Sequence, residues 1–181
     1  MKEIKIILLV ITVIFFTFSC IEGLFKDDDE LTLDRIPYTG NQLRIDGYYY
    51  LLDIDSTLLE TIFFYKNGVL LAGGGRPLPE GLDYIEENYF SSKEWIKKIP
   101  GKILKWGIFQ IEGNKISFEK WYPSSISPTP AYINYGEILN DTTFTITKAV
   151  RLKTGEKLNL NELYHFKEFS PKPDSTNDFI N

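Results

Sequence analysis

The sequence predicts a mainly β protein, with about eight antiparallel strands closing into an up-and-down barrel or a strongly curved sheet and one helical insertion. Three observations carry this. Short segments alternate apolar and polar residues, most cleanly Thr143, Thr145 and Thr147 against Phe144 and Ile146. Glycine and asparagine pairs punctuate them at Asn67-Gly68 and Gly113-Asn114, as hairpins require. Only the stretch 80–99 changes to a helical period.

In chain order, Leu43, Ile45, Gly47, Tyr49 and Leu51 alternate with Arg44, Asp46, Tyr48 and Tyr50, a first strand with one buried face. Thr61 to Tyr65 and Val69 to Ala72 flank Asn67-Gly68, where a type I′ turn is expected because both residues tolerate positive φ. Gly73-Gly74-Gly75-Arg76-Pro77 breaks the pattern. It lacks the Lys-Ser/Thr ending of a phosphate-binding loop, and no apolar helix opens directly after it, so it reads as a connection.

Leu82, Ile85 and Tyr89, then Trp95, Ile96 and Ile99, recur at helical spacing, with Ser91 and Glu94 as a capping box that restarts the helix and Pro100-Gly101 as its stop. This stripe is expected to cover the sheet. Two more hairpins follow, 103–111 with 116–122 and 132–139 with 143–150, before a last strand from Leu163 to Phe169. The tail, 170–181, is polar and expected to be ordered only in part.

If Gly113-Asn114 is a two-residue loop, Phe109, Ile111, Ile116 and Phe118 share the core face. Trp106 and Trp121 then lie opposite with Gln110, Ser117 and Glu119, either as a solvent-facing pair or beneath the helical segment. A one-residue slip would reverse every assignment.

The N-terminus sets the compartment. Lys2 and Lys5 precede an apolar run from Ile6 to Phe18, and Thr17-Phe18-Ser19-Cys20 places a small residue before the only cysteine. The run is shorter than the roughly 20 residues that span a bilayer, so it reads as a secretory signal, residues 1–19. It resembles the lipobox of bacterial lipoproteins, which implies cleavage before Cys20 and a lipid anchor on that residue. A plain secretory peptide is the alternative, although it would leave a lone reactive thiol on an oxidising route. Ile21, where Asp would favour inner-membrane retention, implies the outer membrane. Lys26-Asp27-Asp28-Asp29-Glu30 is similar to the acidic stretch that sends some such lipoproteins to the cell surface, and it serves equally as an acidic tether over 20–40.

The formal charge is −5, and it becomes −6 once residues 1–19 leave with Lys2, Lys5 and Glu3. Such an acidic chain argues against a nucleic-acid partner and against an anionic lipid surface. About 160 residues remain, enough for one β domain over 41–169. Strand count, hairpin order and Gly47-Tyr48-Tyr49 in place of a Gly-x-Trp first strand resemble lipocalin-like barrels, which implies a small-ligand cavity. Asp46-Gly47-Tyr48-Tyr49-Tyr50 and Asn67-Gly68-Val69 also resemble small Gram-negative surface lipoproteins, a likeness that carries no biochemistry.

No catalytic constellation, metal site or cofactor motif stands out. His165 is the only histidine, and alternation puts it opposite Tyr164 and Phe166, at the surface. No serine sits in a Gly-x-Ser-x-Gly elbow, and Glu112, Glu119 and Glu137 read as solvated acids on hairpins. Two functions remain. One is a binding module for a small apolar or glycan ligand, with Tyr48, Tyr50, Trp106 and Trp121 as contacts. The other is a non-enzymatic interaction subunit that docks onto an outer-membrane protein complex through a sheet edge or the helical cover. A barrel interior filled by side chains favours the second reading, and an open pocket of about 300 Å³ or more favours the first.

Overall fold

The computed structural model describes residues 28–53, 57–74, 81–125 and 128–181; Cys20, the apolar run before it and Gly75-Arg76-Pro77 lie outside these. Eight antiparallel strands pair in sequence order and the last pairs with the first, closing a barrel. The strands are β1 (Gly47–Leu52), β2 (Leu58–Phe64), β3 (Val69–Ala72), β4 (Trp106–Glu112), β5 (Lys115–Trp121), β6 (Ala131–Asn140), β7 (Thr143–Arg151) and β8 (Glu156–Glu168). Between β3 and β4 lie α1 (Gly81–Ile85), a π-helical turn (Glu86–Phe90), α2 (Lys93–Lys98) and a 3₁₀ turn (Ile103–Lys105).

Two kinds of connection divide the barrel into two ends. One end carries the tight turns after β2, β4 and β6, and the other carries the longer connections after β1, β3, β5 and β7. At 113–114 the expected two-residue loop holds: Glu112 faces Lys115, Phe109 faces Phe118, and Gly113 takes φ +62°. The 65–68 hairpin differs from expectation. Tyr65 N–H donates to the Val69 carbonyl and Gly68 N–H to the Tyr65 carbonyl, so the loop is Lys66-Asn67-Gly68, with Gly68 at φ +82°. A third loop residue moves the positive-φ demand onto glycine alone. The helix restart is shifted by one residue. Ser92, not Ser91, is the N-cap, its hydroxyl accepting from Trp95 N–H, while Ser91 N–H closes the π turn on the Glu86 carbonyl.

Alternation sorts the strand residues into two cores. Tyr49, Ile62, Phe64, Leu70, Phe109, Ile116, Phe118, Phe144, Ile146 and Tyr164 form one cluster drawn from seven strands, which only the bore permits. Residues of opposite parity, Tyr48, Phe63, Val69, Leu71, Trp106 and Ile108, form a second cluster outside the barrel with Ile85, Phe90 and Ile99 of the helical cover. Close packing of the cover depends on Gly73: a Cβ there would lie 2.3 Å from Thr61 Oγ1 and 2.6 Å from the Phe90 ring.

Both chain segments flanking the barrel are held on it. From Asp28 the N-terminal segment forms a strap. Asp29 meets Arg151 Nε at 2.7 Å and Lys153 Nζ at 3.0 Å, Trp121 Nε1 donates to the Asp29 carbonyl, and Gln110 donates to the Asp34 carbonyl. The strap ends with Tyr38 against Phe109 and Leu43 buried at the tight-turn end. The tail returns over the outside. Lys172 Nζ donates to the Ile45 and Phe64 carbonyls at 2.6 and 2.8 Å, Tyr65 Oη donates to the Pro173 carbonyl, and Ile180 joins the outer cluster.

Arg151, through its hydrogen bond, outweighs the opposing effect of burial and holds the Asp29 carboxyl down at about 2, against 3.8 ordinarily. Because the folded value lies below the unfolded one, the contribution is complete above pH 3.8 and fades as the pH falls towards 2. It amounts to about 2 kcal/mol. Denaturant titrations should therefore show the wild type losing about 2 kcal/mol more than Asp29→Asn between pH 5 and pH 2, and parallel pH profiles would contradict the assignment.

Candidate functional site

The four aromatic residues expected at a ligand site do not meet in a pocket. Tyr48 and Trp106 are fully buried in the outer cluster. Tyr48 Oη donates to Glu86 Oε1 at 2.6 Å and Trp106 Nε1 to the Ile99 carbonyl at 2.8 Å, so both are pinned beneath the helical cover. Trp121 is buried under the strap and lies 6.2 Å from the Phe179 ring. Tyr50 is half-buried, with His165 5.8 Å away. The β4–β5 register is the expected one, and the faces of Trp106 and Trp121 follow from it. A solvent-facing indole platform does not, because cover, strap and tail shield that wall. His165 is exposed, as alternation requires.

The bore itself is packed with rings. Phe64 of β2 lies 4.6 Å from Phe109, 5.9 Å from Phe144 and 6.5 Å from Phe118, contacts that cross the barrel. Tyr49 touches Phe144 at 5.0 Å, and Phe144 stacks on Tyr164 at 4.7 Å with 8° between the planes.

Above the rings, towards the long-connection end, the bore turns polar. Glu60 accepts from Lys120 Nζ at 2.5 Å and from Tyr164 Oη at 2.9 Å. The same hydroxyl stands 3.3 Å from Glu162. Lys120 Nζ also sits over the Tyr122 ring at 3.9 Å, and Tyr122 Oη donates to Asn134 Oδ1 at 3.1 Å. The Lys120 side chain keeps only 6% of its surface and that of Glu60 13%, so this is a desolvated ion pair. Burial pulls the Lys120 ammonium down, but Glu60 and Tyr122 together outweigh it and the net shift is upward. Burial and the neighbouring Glu60 raise the Glu162 carboxyl, and burial lifts the Tyr164 hydroxyl far above its usual range. Lys105 donates to the Gly73 carbonyl at the same end, with burial and Lys120 lowering it to about 8.

No protein-family model, curated protein or solved structure matches the chain. What the interior can do therefore rests on its geometry. Glu60, Lys120 and Glu162 each have a partner of opposite sign or a hydroxyl, an arrangement that plugs the bore above the rings.

One other acid has structural partners. Glu119, expected on a solvated face, is buried and accepts from Thr32 N–H, Thr32 Oγ1 and Leu33 N–H, clamping the strap to β5. The Glu60–Lys120 pair was not evident in sequence, because the partners are 60 residues apart. Their strand parity does place each on the bore side, two residues from Ile62 and Phe118.

Outside the bore, a groove of about 440 Å³ runs along the end of the cover, lined by Trp95, Ile99, Ile103 and Leu104 with Lys98, Lys102 and Lys105. Removing only one partner of the interior pair should be costly. Lys120→Met should destabilise the barrel by about 3–5 kcal/mol in denaturant titration by stranding Glu60. Lys120→Met combined with Glu60→Leu should recover most of that loss, and additive losses would show that the pair does not act as a unit.

Proposed function

We propose that the protein is exported, cleaved before Cys20 and acylated there, and that its barrel serves at the outer membrane as a non-catalytic interaction module. The observation that carries the interaction-module reading is the bore: rings from opposite walls touch across it, and an ion-pair plug lies above them. A barrel filled in this way works through its outer surface. Closure between β1 and β8 also leaves no free edge among the described strands, so docking onto a membrane protein complex falls to the helical cover and the connections. An acyl anchor on Cys20 would enter the barrel through the strap at Asp28, eight residues further on.

One observation favours a second reading, shallow capture of a small glycan. Tyr122 and Tyr132, both half-buried, pack edge to face at 5.5 Å at the long-connection end, an aromatic pair suited to sugar rings. Within the bore the small apolar ligand has no such support, since the rings occupy the space it would need there.

Two measurements test the proposal. Metabolic labelling with a fatty-acid analogue should mark the wild-type chain and leave Cys20→Ser unlabelled and outside the membrane fraction; an unlabelled wild type refutes acylation. An apolar dye such as N-phenylnaphthylamine should keep its dim aqueous emission on mixing with the protein. Saturable brightening would mean that the bore admits ligands and that the binding-module reading is the better one.

A further inference from the structure

Residues 93–105 reverse the charge of the molecule. Five lysines, Lys93, Lys97, Lys98, Lys102 and Lys105, stand against the single acid Glu94 in a chain whose net charge is −5. Lys93, Lys97, Lys98 and Lys102 are exposed, and they alternate with Trp95, Ile96, Ile99, Ile103 and Leu104. The apolar groove and its lysine rim are thus one amphipathic surface.

Its position is what gives it meaning. Lys105 precedes β4 at the long-connection end, where Lys105 Nζ reaches the Gly73 carbonyl after β3. Asp28 is at that end too, its carboxylate accepting from Thr129 N–H just before β6. Asp28 lies eight residues after Cys20, a reach of at most about 29 Å when extended. An acyl chain on Cys20 would therefore hold this end of the barrel to the bilayer.

The rim there is also apolar. Leu52, Leu104, Leu152 and Leu158 are 37–53% exposed, and all belong to strand ends or connections on this side. Lys153 and Lys157 flank the last two of them. The end is not uniformly basic, since Asp28, Asp53 and Glu156 lie on it as well, and Asp29 is neutralised by Arg151 and Lys153. At the groove Glu94 pairs with Lys98 at 2.5 Å and the Asp178 carboxylate lies beside Gly101, but the five lysines outnumber these two acids and attraction is concentrated there.

We infer that the groove of Trp95, Ile99, Ile103 and Leu104, rimmed by Lys98 and Lys102, is a membrane-apposition face that takes anionic phospholipid. The lysines meet headgroup phosphates, and Trp95 and Leu104 enter the boundary between headgroups and acyl chains. This orientation rests on the proposed Cys20 anchor, while the recognition of anionic lipid rests on the groove alone.

The test uses the full-length lipidated chain, extracted from membranes and reconstituted into vesicles with brominated acyl chains. One set is phosphatidylcholine alone, and the other contains one third phosphatidylglycerol. Trp106 and Trp121 are shielded in the barrel wall, so lipid quenching reports on Trp95. Emission should fall severalfold more in the anionic vesicles, and the difference should shrink as salt is raised to about 0.5 M. It should vanish in Trp95→Phe and in the double variant Lys98→Glu, Lys102→Glu, whose substitutions lie on the exposed surface. Equal quenching in both vesicles, or an anionic excess that survives the double variant, overturns the inference. Flotation with the neutral vesicles reads the anchor separately. A chain that floats without anionic quenching refutes the groove, and one quenched by anionic vesicles that fails to float with neutral ones refutes the anchor.

Discussion

Closure of the eight-strand ring dictates most of this structure. Eight strands enclose a bore just wide enough for side chains to fill, and here large rings fill it from opposite walls. Tyr49, Phe64, Phe109, Phe118, Phe144 and Tyr164 form a single aromatic contact system, and each reaches it only because the first strand pairs with the last. Without the β1–β8 ladder the rings would face water, and without the rings the ring of strands would enclose a void.

The outer wall follows a second rule. Barrels of alternating strands normally present polar residues outward, yet Tyr48, Phe63, Val69, Leu71, Trp106 and Ile108 face out here and are apolar or aromatic. The wall is made acceptable by three covers: the helical insertion, the N-terminal strap and the C-terminal tail. Each is pinned by polar contacts from the wall itself. Trp106 Nε1 holds the cover, Glu119 and Trp121 hold the strap, and Tyr65 with Lys172 holds the tail. Burial lowers the Lys172 ammonium to about 8, the cost of aiming it at two backbone carbonyls.

Much of this was legible in the sequence because period-two patterns and turn residues are local signals. The strand count, the sequential pairing, the β4–β5 register and the outward position of His165 all follow from such patterns. What covers a wall is not a local property. Parity separated Trp106 and Trp121 from the bore correctly, but their burial depends on Ile99, Asp29 and Phe179, which are distant in sequence or lie in segments with no regular structure. The same holds for Glu119. An acid on a hairpin reads as solvated until Thr32 and Leu33 bring it two backbone donors. The turn at 65–68 differed for a smaller reason: a third loop residue, Lys66, fits the strand ends as well as the two-residue form, and sequence does not separate them.

Trp121 joins the two segments that flank the barrel. Its indole N–H holds the strap at Asp29, and its ring receives Phe179 of the tail. Sequence inserted beside Phe179 would therefore lie against the strap, where it would crowd any surface on which the strap rests. The Gly113-Asn114 turn, at the opposite pole, is the place to carry added sequence: the space around it is open, the register beside it is unbroken, and Gly113 itself, at φ +62°, is best left as glycine.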